Sequence, residues 1–175
     1  NANYSYGSLQ KVLKFSLQKV NLSSTRDILI LGLGGGSVLN ALRKDLQYNG
    51  CITAVEIDPL IIGIAKNEFG ISSDEKTKII CDDALDTNKF PDKKYDLIII
   101  DLFIDDKIPK FCFSTDFWEN IIENNNPNGN IIFNTLCNPV SNTKPIENIL
   151  REKDIDYKIF KSVQGTNNVL VTNPS

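Results

Sequence analysis

The chain has 175 residues, of which 41% are hydrophobic and 23% are charged, and its formal net charge is −3. This length and composition are typical of one globular domain that buries about 70% of the surface its unfolded chain exposes. The acidic balance disfavours a nucleic-acid partner, which needs clustered Lys and Arg side chains. No apolar run approaches the roughly 18–20 residues that span a bilayer, so we expect no membrane partner.

Histidine is absent from the chain. Its absence removes the commonest general base, the commonest metal ligand and every mechanism that pairs Ser or Cys with His. The four cysteines, Cys51, Cys81, Cys112 and Cys137, include no C-x-x-C spacing, so we expect no metal site. Cys51 and Cys81 end apolar runs and are expected to be buried thiols, which favours a reducing, cytoplasmic location.

Strand and helix patterns alternate along the chain. Apolar residues recur at helical spacing over residues 7–20, and a continuous apolar run over 27–33 predicts a buried parallel strand. A helix over 37–47, a strand over 51–57 and a helix over 60–69 are expected next. The remaining predicted elements are strands over 78–81 and 96–101, a helix over 115–123, a strand over 130–136, a helix over 144–153 and strands over 156–162 and 168–172.

These elements predict an α/β fold. The expected architecture is a doubly wound, mainly parallel seven-stranded sheet with a C-terminal antiparallel hairpin. We expect a single domain over residues 1–175, in which residues 1–26 form a helical lead-in.

Residues able to do chemistry follow five successive predicted strands, where the ligands of such sheets bind. In chain order they are Gly32, Gly34, Gly35 and Gly36; Glu56 and Asp58; Asp82 and Asp83; Asp101, Asp105 and Asp106; and Asn134 and Thr135. Because acids follow three successive strands beside a glycine loop, the sequence predicts a pocket at this edge of the sheet.

The residue types in this pocket favour an adenosine-containing ligand. Glycines let a ligand approach the backbone, Glu56 can accept both hydroxyls of a ribose, and an acid after the third strand can accept the adenine amino group. Like charges disfavour a di- or triphosphate, whereas the sulfonium and ammonium groups of S-adenosylmethionine suit an acidic rim. The glycine loop alone is equally compatible with a nicotinamide, but a Tyr-x-x-x-Lys motif and histidine are both missing.

Six strings resemble the catalytic domain of spermidine synthases and their methyltransferase-like relatives, and more broadly class I S-adenosylmethionine-dependent methyltransferases. They are ILILGLGGGSVLNAL, ITAVEIDP, IICDDAL, YDLIIIDLF, FSTDFWENI and NPNGNIIFNTL. The resemblance covers roughly residues 5–172. It implies S-adenosylmethionine or its decarboxylated form as the cofactor, with no metal.

The resemblance also implies roles for individual residues. Gly32, Gly34 and Gly36 would hold the amino-acid or aminopropyl end of the cofactor, Glu56 would bind the ribose, and Asp82 and Ala84 would bind the adenine. The neighbouring Asp58 and Asp83 are also expected to belong to the cofactor site. Asp101 would lie at the reacting centre, and Ser5 and Tyr6 would border the substrate.

The chain departs from spermidine synthases around the reacting centre. Those enzymes continue from the central aspartate with two serines and a second aspartate, whereas here Leu102, Phe103 and Ile104 follow Asp101 and the next acid is Asp105. Gly7 follows Tyr6 in place of a polar amide. These changes disfavour polyamine binding and leave the nucleotide site intact.

Three functional hypotheses remain. The first is methyl transfer to a small-molecule acceptor, with amines among the candidates, in which Asp101 orients or accepts a proton and Tyr6 is a lid. The second is aminopropyl transfer from decarboxylated S-adenosylmethionine to a diamine, in which Asp101 and Asp105 bind and deprotonate the amine. The third is a non-catalytic nucleotide-binding module. A homodimer is compatible with all three.

Overall fold

The computed structural model describes residues 2–86, 93–104, 107–137 and 141–174, and describes side chains from Gln10 onward. The seven strands, in chain order, are β1 (Asp27–Leu31), β2 (Cys51–Glu56), β3 (Thr77–Cys81), β4 (Tyr95–Ile100), β5 (Asn125–Leu136), β6 (Tyr157–Val163) and β7 (Asn167–Thr172). The α-helices are α1 (Ala2–Leu17), α2 (Ser37–Asn40), α3 (Pro59–Phe69), α4 (Thr115–Glu123) and α5 (Lys144–Glu152).

The strands form one sheet in the order β3-β2-β1-β4-β5-β7-β6. Neighbours from β3 to β5 pair in parallel, and β7 pairs antiparallel with both β5 and β6. The predicted fold class is therefore confirmed. Because the strand order reverses between β1 and β4, a crevice is expected above their carboxyl ends.

Both faces of the sheet are covered, which explains the unbroken apolar runs in the central strands. In β1, Ile28 and Ile30 contribute to a core on the side of α1 and α2, whereas Leu29 and Leu31 contribute to a core on the side of α4 and α5. Trp118 of α4 is fully buried in this second core, and its ring meets Phe133 edge to face at 5.6 Å. Within the described ranges, none of the helices has the length and apolar character needed to cross a bilayer.

Several boundaries differ from the predictions because tertiary packing extends or divides the local patterns. Helix α1 already begins at Ala2, and the helix predicted over 37–47 changes to a π-helical turn over Ala41–Asp45. Strand β5 begins at Asn125, and the expected turn lies inside it as an irregularity where its pairing with β4 shifts register.

The prediction that Cys51 and Cys81 are buried is wrong, because both are exposed. Cys51 is the first residue of β2 and Cys81 is the last residue of β3, the strand at one edge of the sheet. Both cysteines thus lie at the ends of their strands, where an apolar run does not by itself ensure burial.

Candidate functional site

A pocket of about 710 Å³ opens above the carboxyl ends of β1, β2 and β4. This volume lies within the range of small-molecule sites, about 300–1,000 Å³. The predicted site residues that line it are Gly32, Gly34, Glu56, Asp82, Asp83, Ala84 and Asp101. The topology thus brings together residues from four separate parts of the chain.

In the glycine loop after β1, Gly32 allows close packing and Gly34 leaves open space. Gly32 has φ +92°, and a Cβ atom there would lie 2.3 Å from the backbone oxygen of Asp101, so only glycine allows β1 and β4 to end so close together. Gly34 has φ +51°, and a Cβ atom there would meet no heavy atom within 4 Å. The space beside Gly34 therefore lets a ligand reach the backbone.

Glu56, the last residue of β2, ties the loop to the second strand. Its Oε2 accepts a hydrogen bond from the backbone N–H of Gly34 at 2.9 Å, and its Oε1 accepts one from the N–H of Asp58 at 3.1 Å. A carboxylate oxygen can accept more than one hydrogen bond, so both oxygens keep capacity for a ligand. Two oxygens fixed in this way match two adjacent hydroxyl groups.

The acids after β3 lie in a tight turn at the pocket wall. The N–H of Asp82 donates to the backbone oxygen of Glu56 at 3.0 Å, and Asp82 Oδ1 accepts from the N–H of Asp83 at 2.8 Å. Asp83 Oδ1 accepts from the N–H of Leu85 at 2.9 Å. These bonds fix the turn, and the buried side chain of Ala84 forms the adjoining apolar surface.

Asp101 lies at the base of the pocket, one residue after β4. Its N–H donates to the backbone oxygen of Leu31 at 2.9 Å, and its Oδ1 accepts from Asn134 Nδ2 at 2.8 Å. Burial raises the pKa of Asp101 to about 6, and the Asn134 hydrogen bond opposes that rise. Among the described residues, no hydrogen bond reaches the second oxygen, Oδ2.

Two predicted cofactor residues do not line the pocket. Gly36 has φ +79° at the start of α2, and a Cβ atom there would lie 1.8 Å from Cδ1 of Ile71. Asp58 caps α3, with Oδ1 accepting from the N–H of Leu60 at 2.8 Å. Their positions are explained by packing and capping within the protein.

The two other predicted catalytic residues are placed only in part. Tyr6 lies in α1, where the backbone is described and its side chain is not. Asp105 lies outside the described residues.

One side of the pocket is apolar and was not predicted from the sequence. It is formed by Leu102, Phe103, Ile104, Pro109 and Phe111. The first three were visible as a departure from the spermidine synthase pattern. Nothing in the sequence indicated that Phe111 lines the pocket, because it is brought there by a 3₁₀ turn that forms only in the folded chain.

The contact between Asn134 and Asp101 was also missed, although a signal existed. Ile100 of β4 pairs with Phe133 of β5, so the following residues, Asp101 and Asn134, are neighbours across the sheet. Parallel pairing with this register had to be known before the two polar residues could be linked.

The amino-acid sequence is similar to one protein-family profile and to two groups of relatives. The profile described as the spermine/spermidine synthase domain matches residues 12–163. The eEF1A lysine and N-terminal methyltransferase homolog of Drosophila melanogaster is 27% identical over 168 residues, which are 90% of this chain and 24% of that protein. The polyamine aminopropyltransferase of Sulfolobus acidocaldarius is 31% identical over 122 residues, 65% of this chain and 39% of that protein. The chain thus spans less than half the length of these relatives.

Solved structures share the fold. Human methyltransferase-like protein 13, solved in complex with SAH, superposes with a TM-score of 0.69 at 22% identity, covering 95% of this chain and 81% of that one. A probable spermidine synthase from Corynebacterium glutamicum also gives a TM-score of 0.69, at 18% identity, covering 97% of this chain and 63% of that one. The sequence match extends over most of the chain, and the chain therefore belongs to the spermine/spermidine synthase domain family.

Proposed function

We propose that the chain is an S-adenosylmethionine-dependent transferase that moves a methyl group to an amine nitrogen of a small acceptor. The observation that carries this proposal is Asp101, a partly buried carboxyl group whose Oδ2 accepts no hydrogen bond from any described residue, in the same pocket as the glycine loop and Glu56. A cytoplasmic location and a homodimer remain predictions from the sequence.

The residues of the pocket fit this cofactor. Open space beside Gly34 admits a ligand close to the backbone, and Glu56 retains acceptor capacity on both oxygens. Glu56 would hold the ribose, Asp82 the adenine amino group, and the loop from Gly32 to Gly34 the amino-acid end. Four carboxyl groups in one cavity suit the cationic ends of the cofactor and disfavour an anionic ligand.

S-adenosylmethionine, when bound, would supply the methyl group: the acceptor nitrogen would form its bond to the methyl carbon while the bond from that carbon to sulfur breaks and the sulfur keeps the electron pair. Asp101 accepts the proton that the amine loses and orients the nitrogen lone pair. The apolar wall around Leu102 and Phe103 excludes water from the reacting groups. The pKa of Asp101, about 6, leaves its carboxyl ionised and able to accept a proton at neutral pH.

An amine acceptor is supported by what the two groups of relatives share. Their names describe lysine and N-terminal methylation in one group and polyamine aminopropyl transfer in the other. Both reactions form a bond from carbon to an amine nitrogen, and both need a group that takes up a proton.

Aminopropyl transfer to a diamine is the second candidate, and the family profile itself favours it. In this reaction the aminopropyl carbon, rather than the methyl carbon, would leave the sulfur. The run of Leu102, Phe103 and Ile104 disfavours it, because a second ammonium group needs a polar partner and these side chains offer none.

Calorimetric titration with S-adenosylmethionine, its decarboxylated form, methylthioadenosine and NADH, each with and without putrescine, tests the proposal. We expect preference for intact S-adenosylmethionine, unaffected by putrescine, and methylation of at least one amine in a panel. Preference for the decarboxylated form, tightened by putrescine, would establish aminopropyl transfer instead. Tight cofactor binding without turnover on amines, hydroxyls or thiols would instead show that the chain is a non-catalytic nucleotide-binding module.

A further inference from the structure

A chain of hydrogen bonds runs from the C-terminal hairpin to Asp101. Thr166 Oγ1 donates to Asn167 Oδ1 at 2.6 Å, and Asn167 Nδ2 donates to Asn134 Oδ1 at 3.0 Å. Asn134 Nδ2 then donates to Asp101 Oδ1 at 2.8 Å. Asn134 is fully buried and Asn167 is 7% exposed, so water does not replace the contacts of Asn134 with Asn167 and Asp101, whereas Thr166 at the outer end of the chain of hydrogen bonds is exposed.

The order of donors and acceptors in this chain leaves one orientation for each amide. Because the ionised Asp101 only accepts hydrogen bonds, the NH₂ group of Asn134 faces it and the oxygen of Asn134 faces Asn167. The NH₂ group of Asn167 therefore donates to Asn134, and its oxygen accepts from the hydroxyl of Thr166, a group able to donate or accept. A reversed Asn134 would aim its oxygen at the carboxylate and leave buried donors unpaired, which is unfavourable.

We propose that Asn134 and Asn167 act as positioning residues, which hold Asp101 with Oδ1 bound to the protein and Oδ2 presented to the acceptor amine. This inference rests on the proposed function, because it assigns a purpose to the orientation of Asp101. Asn167 acts only through Asn134. The C-terminal hairpin thereby contributes to the reacting centre without lining the pocket.

Other ionisable groups near Asp101 could also change its pKa. Among the described residues, those that share the pocket with it are the carboxyl groups of Glu56, from β2, and of Asp82 and Asp83, from the turn after β3. The ends of β1 and β5 that pack against Asp101 contribute Gly32 and Asn134, which do not titrate. The carboxyl groups are the same in every variant below, so they do not account for differences between variants.

The test compares Asn134→Ala, Asn167→Ala, the double variant and Asn168→Ala. Asn168 is the matched control, because it lies on the same strand but its Oδ1 accepts from the N–H of Ser162 on the neighbouring strand. One readout is the NMR titration of the Asp101 carboxyl carbon in the cofactor-free protein, assigned with Asp101→Asn. The other is the pH dependence of kcat with the methylated amine.

Loss of the Asn134 donor should move the Asp101 titration, and the acid limb of kcat, upward by about one pH unit. Turnover below that limb should fall about tenfold and recover at high pH, because a unit shift lowers the ionised fraction tenfold. Asn167→Ala should produce a smaller shift in the same direction. The double variant should match Asn134→Ala, and Asn168→Ala should match the unmodified protein.

An Asp101 titration that is unchanged in a folded Asn167→Ala variant would overturn the relay. So would a double variant whose shift equals the sum of the two single shifts, since the residues would then act independently. If Asn134→Ala does not fold, Asn167→Ala and the nearly isosteric Asn167→Leu decide, and both should shift the Asp101 titration upward because neither side chain can hold the Asn134 amide. Failure of the unmodified protein to methylate any amine would contradict the proposed function, while the NMR titration would still decide the relay.

Discussion

At the scale of single residues, the burial of Asp101 conflicts with its proposed role as the base. A base must be ionised to accept a proton, yet burial disfavours the ionised form and raises the pKa of Asp101 to about 6. The hydrogen bond from Asn134 opposes this rise only in part. The conflict predicts separate effects on turnover and on stability.

Replacement of Asp101 by Asn should reduce kcat by about 10²–10⁴-fold and leave S-adenosylmethionine affinity nearly unchanged, because the amide keeps the shape but accepts no proton. The unmodified protein should gain activity as pH rises through about 6, and the variant should lack this limb. Steady-state kinetics from pH 5 to 9 and calorimetric titration measure both. Equal losses of turnover and cofactor affinity would place Asp101 in the cofactor site instead.

The same substitution should stabilise the protein at pH 8. The folded-state pKa of Asp101 lies above its unfolded value, so ionisation destabilises the fold, and this effect grows as pH rises from about 4 to above 6. We expect Asp101→Asn to raise the free energy of unfolding by about 1–3 kcal/mol at pH 8, with the gain disappearing towards pH 4. Urea unfolding at both pH values tests this, and a gain that is independent of pH would contradict it.

Glu56 accepts a hydrogen bond from the glycine loop and is proposed to hold the ribose, so its removal should affect binding more than folding. We expect Glu56→Ala to weaken S-adenosylmethionine binding by about 1–3 kcal/mol through loss of charge-assisted hydrogen bonds. Calorimetry with Glu123→Ala as a control checks this, because Glu123 is an exposed residue at the end of α4. An unchanged affinity in Glu56→Ala would mean that the ribose lies elsewhere.

At the scale of elements, the start of α3 explains why Asp58 belongs to the fold rather than to the pocket. The side chain satisfies the N–H of Leu60, and Pro59 occupies the first turn, where its missing N–H has no consequence. Gly70 follows the last residue of α3, and its φ of +68° is the left-handed conformation that often terminates a helix.

Asp58→Ala should therefore lower the free energy of unfolding by about 0.5–2 kcal/mol, because α3 loses its cap. Cofactor affinity should change little. Asp58→Ser, which preserves a capping oxygen, is the matched control and should recover most of the stability. A large loss of affinity at unchanged stability would return Asp58 to the cofactor site.

At the scale of the whole molecule, one sheet separates two apolar cores that depend on the same strands. Leu17 of α1 is 2% exposed in one core, and Trp118, the single tryptophan, is fully buried in the other. Because alternate residues of each central strand serve opposite cores, loss of one core removes support for the other. The two should unfold together.

Leu17→Ala should cost about 2–5 kcal/mol through lost burial and a residual cavity. The unfolding midpoint reported by Trp118 fluorescence, from the opposite core, should fall as far as the midpoint from far-ultraviolet circular dichroism. Lys11→Ala, at an exposed position of the same helix, is the control. Separate midpoints for the two probes would show that the cores unfold independently.

Local patterns were sufficient to identify the order of strands and helices in the chain and the acidic residues of the pocket. Glu56 and Asp101 could be recognised because each stands where a buried apolar run ends in an acid, and parallel strands bring such ends to one edge. Gly36 was assigned to the cofactor by the family resemblance and Asp58 by its place beside Glu56 after the second strand, but the structure shows Gly36 packed against Ile71 and Asp58 capping α3.

The sequence by itself determined the fold class and the acidic pocket, because alternation, strand length and the residues at strand ends are properties of short segments. Only the tertiary structure decided which of these residues meet. Asp101, Asn134 and Asn167 come from three strands, and their contacts depend on sheet order and register, which long-range pairing sets. The exposure of Cys51 and Cys81 was decided in the same way, because an apolar run does not reveal which neighbours cover its end residues in the folded chain.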